Sequence, residues 1–525
     1  MLPKVPTTKQ IPIIDLFAGP GGLGEGFTSI VDKNNKRHFR IALSIERDEF
    51  AHKTLTLRSF LRQFPHKQLP SEYYDLLKSE RQDPEVLYKK YPEQAAMAKH
   101  EAWQFELGSA ENHSLIDKRI KDSLKGEKDF LLIGGPPCQA YSLVGRARRQ
   151  EATGLNKNDP RVYLYREYYR ILAIHQPPVF IMENVKGILS SKVENEGVFK
   201  QLINDLQNPV ESYKKLEGEE NIAKSKIRYK IYSLVKRPGK NMFDEEQFDP
   251  RDFIIRSEEY GIPQTRHRVI LLGVRTDIQT TPGLLEKAEQ LIPVDDVLCG
   301  LPNIRSGLSK EADSKQNWKK ALEDLLETNI KSQVEPHVWK KMKRVVENLS
   351  LPQKDKGSIY VEFSPDINYN KTWYLDHRLN AVCNHESRSH IKQDLFRYLF
   401  VSCFAKVNDR SPKLSDFPDA LLPKHLNASE GKFADRFRVQ LYGQPSKTVT
   451  SHISKDGHYF IHPDPGQCRS FTVREAARIQ TFPDNYFFCG PRTQQFHQVG
   501  NAVPPLLAKQ IGEIVKLVMR QNSIS

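Results

Sequence analysis

The sequence predicts an α/β fold: a doubly wound, parallel sheet carrying a second, smaller domain. Three observations predict it. Short apolar runs of strand length recur through the first half of the chain. The first of them breaks into a glycine turn and then a helix. From residue 276 onward that rhythm gives way to Lys-rich helical stretches and loops.

The elements follow in order. Residues 11–17 form an apolar strand, broken by the turn Ala18-Gly19-Pro20-Gly21-Gly22. A helix is expected to start at Phe27, completing the first strand–turn–helix unit of a doubly wound sheet. Residues 40–46 read as a second strand ending in an acid, Glu46. Residues 52–105 are charged and aromatic and read as a helical insertion. Further strands are expected at 129–135, 178–184 and 268–274, each apolar as in strands covered on both faces. A first domain is placed at 1–275, a second at 276–445, and a segment returning to the first at 446–525. In that segment residues 472–480 read as an amphipathic helix, and 498–519 as a loop followed by a helix.

Composition narrows the function. The chain has 525 residues, 79 Lys plus Arg and 65 Asp plus Glu, so 79 minus 65 gives a net charge of +14. Such an excess points to a polyanionic partner, nucleic acid first, although a Lys-rich soluble surface has the same arithmetic. Hydrophobic residues at 38% exclude a disordered chain. No apolar run is long enough to span a membrane, and the N-terminus lacks a signal-peptide core. The six cysteines show no CxxC pair, so a reducing, cytoplasmic setting is expected, nucleoid-associated where the partner is DNA. His377, Cys383, His385 and His390 match no common metal-site spacing, and no metal is expected.

Four segments carry the chemistry. The glycine turn, followed by Glu46 at the next strand's end, suits a nucleotide whose ribose an acid can hold, although a structural turn alone explains the glycines. Gly134-Gly135-Pro136-Pro137-Cys138-Gln139 places Cys138 on a loop at the carboxyl end of a strand. Most lone cysteines are inert, but that loop and the cations Arg146, Arg148 and Arg149 favour a thiolate nucleophile. Glu183 also ends a strand, where it either meets Cys138 or caps the next helix. Arg266 and Arg268 alternate on an extended segment and so share a face, suited to a carbonyl or phosphate or to solvent.

Together these segments resemble the motifs of the cytosine-C5 DNA methyltransferase family, as found in bacterial restriction-modification or defence systems. The resemblance runs through Asp15-Leu16-Phe17-Ala18-Gly19, Gly135-Pro136-Pro137-Cys138-Gln139, Glu183-Asn184-Val185 and Gln264-Thr265-Arg266-His267-Arg268. It continues in residues 474–483 and 498–504, and all six motifs stand in family order. It implies a Rossmann-like S-adenosylmethionine-dependent methyltransferase domain, with residues 276–445 as a target-recognition domain. It implies Cys138 as nucleophile, Glu183 as the acid on cytosine N3, and Arg266 and Arg268 on the base carbonyl and sugar–phosphate, with Arg266 the direct contact. The methyl donor would lie against Phe17, Gly19, Gly21, Glu46, Pro136, Leu164, Asn501 and Val503. Gln139, Ser142, Arg146 and Arg148 would meet double-stranded DNA, with the target base flipped out. The enzyme is expected to act as a monomer on DNA, with a cognate restriction or defence-system partner. Methylation of tRNA is the nearest rival, and an inactive sequence-specific DNA-binding protein is another. An amino-group methyltransferase is disfavoured, because Gly-Pro-Pro-Cys stands where those enzymes carry an Asn/Asp-Pro-Pro-aromatic motif.

Overall fold

The computed structural model describes residues 9–137, 164–190, 192–193, 196–217, 227–240, 246–423 and 437–522. Five strands run parallel: β1 (Ile11–Leu16), β2 (Phe39–Glu46), β3 (Ala102–Gln104), β4 (Leu131–Gly134) and β5 (Val179–Val185). β6 (Tyr229–Tyr232), β7 (Ile254–Arg256), β8 (Gln264–Thr265) and β9 (His267–Arg275) follow. One eight-stranded sheet results, in the order β7-β9-β5-β4-β1-β2-β3, with β6 also on β9. β8 stays outside it and pairs in parallel with Ser446–Lys447.

The apolar strands sort their side chains by alternation. Ile14, Leu132 and Phe180 meet Ile116, Ile120, Tyr168 and Leu172 on one face. Ile13, Ile133 and Ile181 meet Leu23, Phe27, Leu507, Ile511 and Val515 on the other. The order reverses at β1, which lies between β2 and β4, so the glycine turn leaves the sheet at its switch point.

Three elements differ from the sequence reading. The first helix, α1, is Gly22–Thr28 rather than a helix starting at Phe27. Its glycines are packing surfaces: a Cβ on Gly22 would lie 2.4 Å from the Val503 carbonyl oxygen, and one on Gly26 would lie 2.3 Å from that of Pro505. Glycine there lets α1 press against the last helix, Pro505–Asn522, backbone to backbone. The last predicted strand, β9, is antiparallel to β5. It therefore starts at the carboxyl rim of β5 and brings the QxRxR arginines to that rim. The helix Val473–Ile479 is buried throughout instead of amphipathic. Its charges are paired inside, Arg478 with Asp484 at 2.6 Å and Glu475 with Arg469 at 2.6 Å.

The insertion is four helices, Glu49–Arg62, Ser71–Lys78, Glu85–Lys90 and Pro92–Glu101. Their apolar sides share a core with Leu379, Ala381 and Cys383 of the 276–445 stretch. Tyr74 donates to Asp376 at 2.7 Å and Arg378 to the Leu69 carbonyl at 2.7 Å, so the insertion struts that stretch. A further core gathers Trp318, Leu322, Val338, Met342 and Leu399 of the 276–445 stretch with Ile461 and Cys468 from beyond residue 445. No helix of the described residues is long and apolar enough to cross a membrane.

Candidate active site

The carboxyl rim of the sheet brings Glu183 and Arg268 together. Glu183 sits on β5 two residues before its end, and β9 runs past it with Ile270 opposite Glu183 and Arg268 opposite Val185. The Arg268 Nε lies 2.9 Å from the Glu183 Oε1, with both side chains largely covered. Burial lowers the pKa of Arg268, and the facing carboxylate opposes that shift. A Cβ on Gly135, just past β4, would come within 2.9 Å of the other carboxyl oxygen, Glu183 Oε2. The Gly-Pro-Pro-Cys segment therefore leaves its strand directly against this acid.

Arg266 points elsewhere. It is 1% exposed and donates to the Val449 carbonyl at 2.7 Å and the Gly500 carbonyl at 3.2 Å. It braces the first domain against the 446–501 segment, and of the two arginines Arg268 is the one beside the acid. Cys138, Gln139, Ser142, Arg146 and Arg148 lie outside the described residues.

The second half of the site surrounds the glycine turn. Phe17, half-buried at the end of β1, has φ of +56°, a strained conformation for a bulky residue. Gly19 donates its N–H to Glu46 Oε2 at 2.7 Å, and Asp48 donates to Glu46 Oε1 at 2.7 Å. Burial raises the pKa of Glu46, while these backbone donors oppose the rise. Leu164 opens the helix Leu164–His175 and covers Gly108, where an added Cβ would be 2.5 Å from its Cδ2. Pro136 is buried and Asn501 is exposed. Gly21 faces inward toward Leu55 and Tyr486, and Val503 packs in the core under α1. Phe17, Gly19, Glu46 and Leu164 thus share one rim, whereas Gly21 and Val503 support it from behind. His385 is held by Thr472 and the Pro302 carbonyl, and Cys383 is in the core shared with the insertion.

Sequence reasoning passed over Asp15 as a site group. It is 1% exposed, and neither carboxyl oxygen has a hydrogen-bond partner. Burial pushes its pKa up to about 8, against the attraction of Arg62 and with some help from Glu46. Its signal was a lone acid inside an apolar run. The raised pKa makes stability pH-dependent. Between about pH 4 and 8 the folded chain holds a proton that the unfolded chain releases, so Asp15 costs stability as pH rises through that window. Asp15→Asn is expected to be more stable than the parent at pH 7, by on the order of 4 kcal/mol, and so to melt at a higher temperature there, and to match it near pH 4. Thermal melts across that pH range check this.

An open α/β sheet with a glycine turn at its switch point, and an acid and an arginine paired at the same rim, defines a Rossmann-like methyltransferase class of site. The model of the C-5 cytosine-specific DNA methylase family matches residues 98–213 and 237–516. The type II methyltransferase M.Bpa9945I of Bacillus paralicheniformis is 31% identical over 527 residues, covering 97% of this chain and 99% of that protein. The type II methyltransferase M.DdeI of Desulfomicrobium norvegicum is 26% identical, covering 73% of this chain and 71% of its own length. The DNA (cytosine-5-)-methyltransferase M.ApeKI of Aeropyrum pernix is 27% identical, covering 75% and 83%. The chain belongs to the C-5 cytosine-specific DNA methylase family.

That family requires a methyl donor, and the rim fits one. A Cβ on Gly19 would meet nothing within 4 Å, so the backbone there opens onto free space beside Glu46. A carboxylate at a strand end can accept from ribose hydroxyls.

Proposed function

We propose that the chain methylates C5 of a flipped cytosine in duplex DNA, at a specific sequence, with S-adenosylmethionine as donor. The Glu183–Arg268 pair, pressed against the strand end that leads to Cys138, is the observation that carries the reading.

The chemistry follows from the groups at the rim. Cytosine C5 is a poor nucleophile. Addition of the Cys138 thiolate to C6 makes C5 enamine-like and places charge on the ring. Glu183 holds and protonates N3, which relieves that charge. Arg268 holds the base carbonyl and keeps the Glu183 carboxyl aimed, and Arg266 fixes the wall behind them. When bound, S-adenosylmethionine supplies an electrophilic methyl group. Phe17, Gly19, Glu46, Pro136, Leu164 and Asn501 would hold it, with Gly21 and Val503 shaping the turn from within. Loss of the C5 proton and elimination of Cys138 then free the methylated base. Gln139, Ser142, Arg146 and Arg148 would hold the DNA around the emptied stack. The reading includes a monomer on DNA in the cytoplasm with a cognate restriction or defence-system partner; the type II methyltransferase names of its relatives are in keeping with a restriction-modification setting.

The test is transfer of labelled methyl from S-adenosylmethionine by the purified chain to duplex DNA and to tRNA, with bisulfite sequencing of the DNA product. Label at cytosine C5 of duplex DNA is expected. Label in tRNA alone, or at an exocyclic amino group, overturns the reading.

A further inference from the structure

The glycine turn has little stiffness of its own. Gly19 and Gly21 flank Pro20 with φ of +58° and +96°, and glycine favours no single backbone shape. The front of the turn is open, where Gly19 holds Glu46. Its back is filled by a side chain from the other end of the chain. Tyr486 is fully buried and donates its hydroxyl to the Pro20 carbonyl, and a Cβ on Gly21 would lie 3.2 Å from that hydroxyl. The Gly21 N–H donates to the Ala18 carbonyl at 3.0 Å. The planar peptide between Pro20 and Gly21 is therefore pinned on both sides.

The phenol is itself held from the insertion. The Arg58 guanidinium lies over the Tyr486 ring, 4.4 Å from its centroid. Arg58 is buried and pairs with Glu25 of α1 at 2.5 Å. Burial works to raise the Glu25 carboxyl, but Arg58 and Arg62 outweigh it and hold it below the usual carboxylate range, so the pair stays ionised. Arg58 also donates to the Asn485 carbonyl at 3.3 Å, which accepts from Tyr73 at 2.6 Å, and Arg474 donates to the Tyr486 carbonyl at 2.7 Å. Burial raises the pKa of the Tyr486 phenol, so it keeps the proton that it donates. A phenylalanine would fill the same space between Phe482 and Phe488. Only the hydroxyl reaches the turn.

We propose that Tyr486 is a positioning residue for the methyl donor: its hydroxyl holds the Pro20 carbonyl so that the turn keeps the shape in which Gly19 and Glu46 meet the donor, and Arg58 acts through it by fixing the ring. The inference rests on the donor site proposed above. It adds the groups that hold that site in shape and gives the insertion a part in donor binding.

The test uses the full chain and S-adenosylmethionine without DNA, with binding read by calorimetry and stability by thermal melts. Tyr486→Phe removes one oxygen and is expected to raise the Kd for S-adenosylmethionine about tenfold, as when the binding-competent turn falls to about a tenth of the population. Arg58→Lys keeps the charge beside Glu25 but loses the flat stack, and is expected to raise that Kd about threefold. In the Tyr486→Phe background the same Arg58→Lys change should raise it no further, because the ring then carries no hydroxyl to aim. A Tyr486→Phe chain that melts earlier yet binds the donor like the parent overturns the inference, since its hydroxyl then serves stability alone. An undiminished effect of Arg58→Lys in the Tyr486→Phe background overturns the part assigned to Arg58. Should Arg58→Lys fail to fold, Tyr486→Phe alone decides. A parent chain that binds the donor but leaves duplex DNA unmethylated defeats the DNA reading while the donor affinities still decide this inference, and a parent chain that binds no S-adenosylmethionine defeats both.

Discussion

Replacing Cys138 by serine is expected to cut methyl transfer to duplex DNA by at least about 10⁴-fold, the scale seen when a catalytic nucleophile is deleted. The reason is acidity. A thiol is a few per cent thiolate at neutral pH and highly nucleophilic as such, whereas a serine hydroxyl is not measurably ionised without a strong base. The residues that lead to this position, Gly135 against Glu183 and buried Pro136, do not change in this variant, so folding and donor binding should persist. A second readout separates loss of chemistry from loss of binding. Duplex DNA with 5-fluorocytosine at the target has no C5 proton to lose, so the parent should remain covalently attached after methyl transfer. The serine variant should bind the same DNA and release it on denaturation. A serine variant with parental turnover would remove Cys138 from the mechanism.

The second large effect is expected at Glu183. Glu183→Gln keeps the side-chain shape and one acceptor oxygen toward Arg268, but cannot deliver a proton to N3. A positioned acid is worth about 10²–10⁴ in rate, so kcat should fall by that factor. The KM for DNA should move only a few-fold, because groove and phosphate contacts are untouched. Removing one member of a buried ion pair costs about 3–5 kcal/mol. The loss here should be smaller, since the Glu183 and Arg268 side chains are 13% and 15% exposed and the amide still accepts from the guanidinium. Single-turnover rates with a melt of each variant check both parts. Full activity in Glu183→Gln would assign the proton to another group.

Much of this site was legible in the chain because its groups follow strand ends. Apolar runs name the strands, and in a parallel sheet their carboxyl ends share a rim, so Glu46, Glu183 and the Gly-Pro-Pro segment fall together without coordinates. The arginine pair was harder. Alternation puts Arg266 and Arg268 on one face of an extended segment, but Arg266 precedes β9, in a kinked link after β8, and turns into the domain joint. β3 was hidden inside the insertion because three residues, Ala102–Gln104, are too short to set a period. The helix at Val473–Ile479 looked amphipathic because its Glu475 and Arg478 are buried against partners just beyond its two ends, Arg469 and Asp484, which a helical period does not reveal.

The close seating of α1 on the helix Pro505–Asn522 has a consequence for how the protein is made. Leu507, Ile511 and Val515 cover Leu23 and Phe27, which emerge from the ribosome almost five hundred residues earlier. Until that late helix arrives, the donor-binding turn rests on an uncovered greasy slope, and Gly22 and Gly26 have no backbone to lean on. A nascent chain should therefore stay catalytically silent until that helix has emerged and docked on α1.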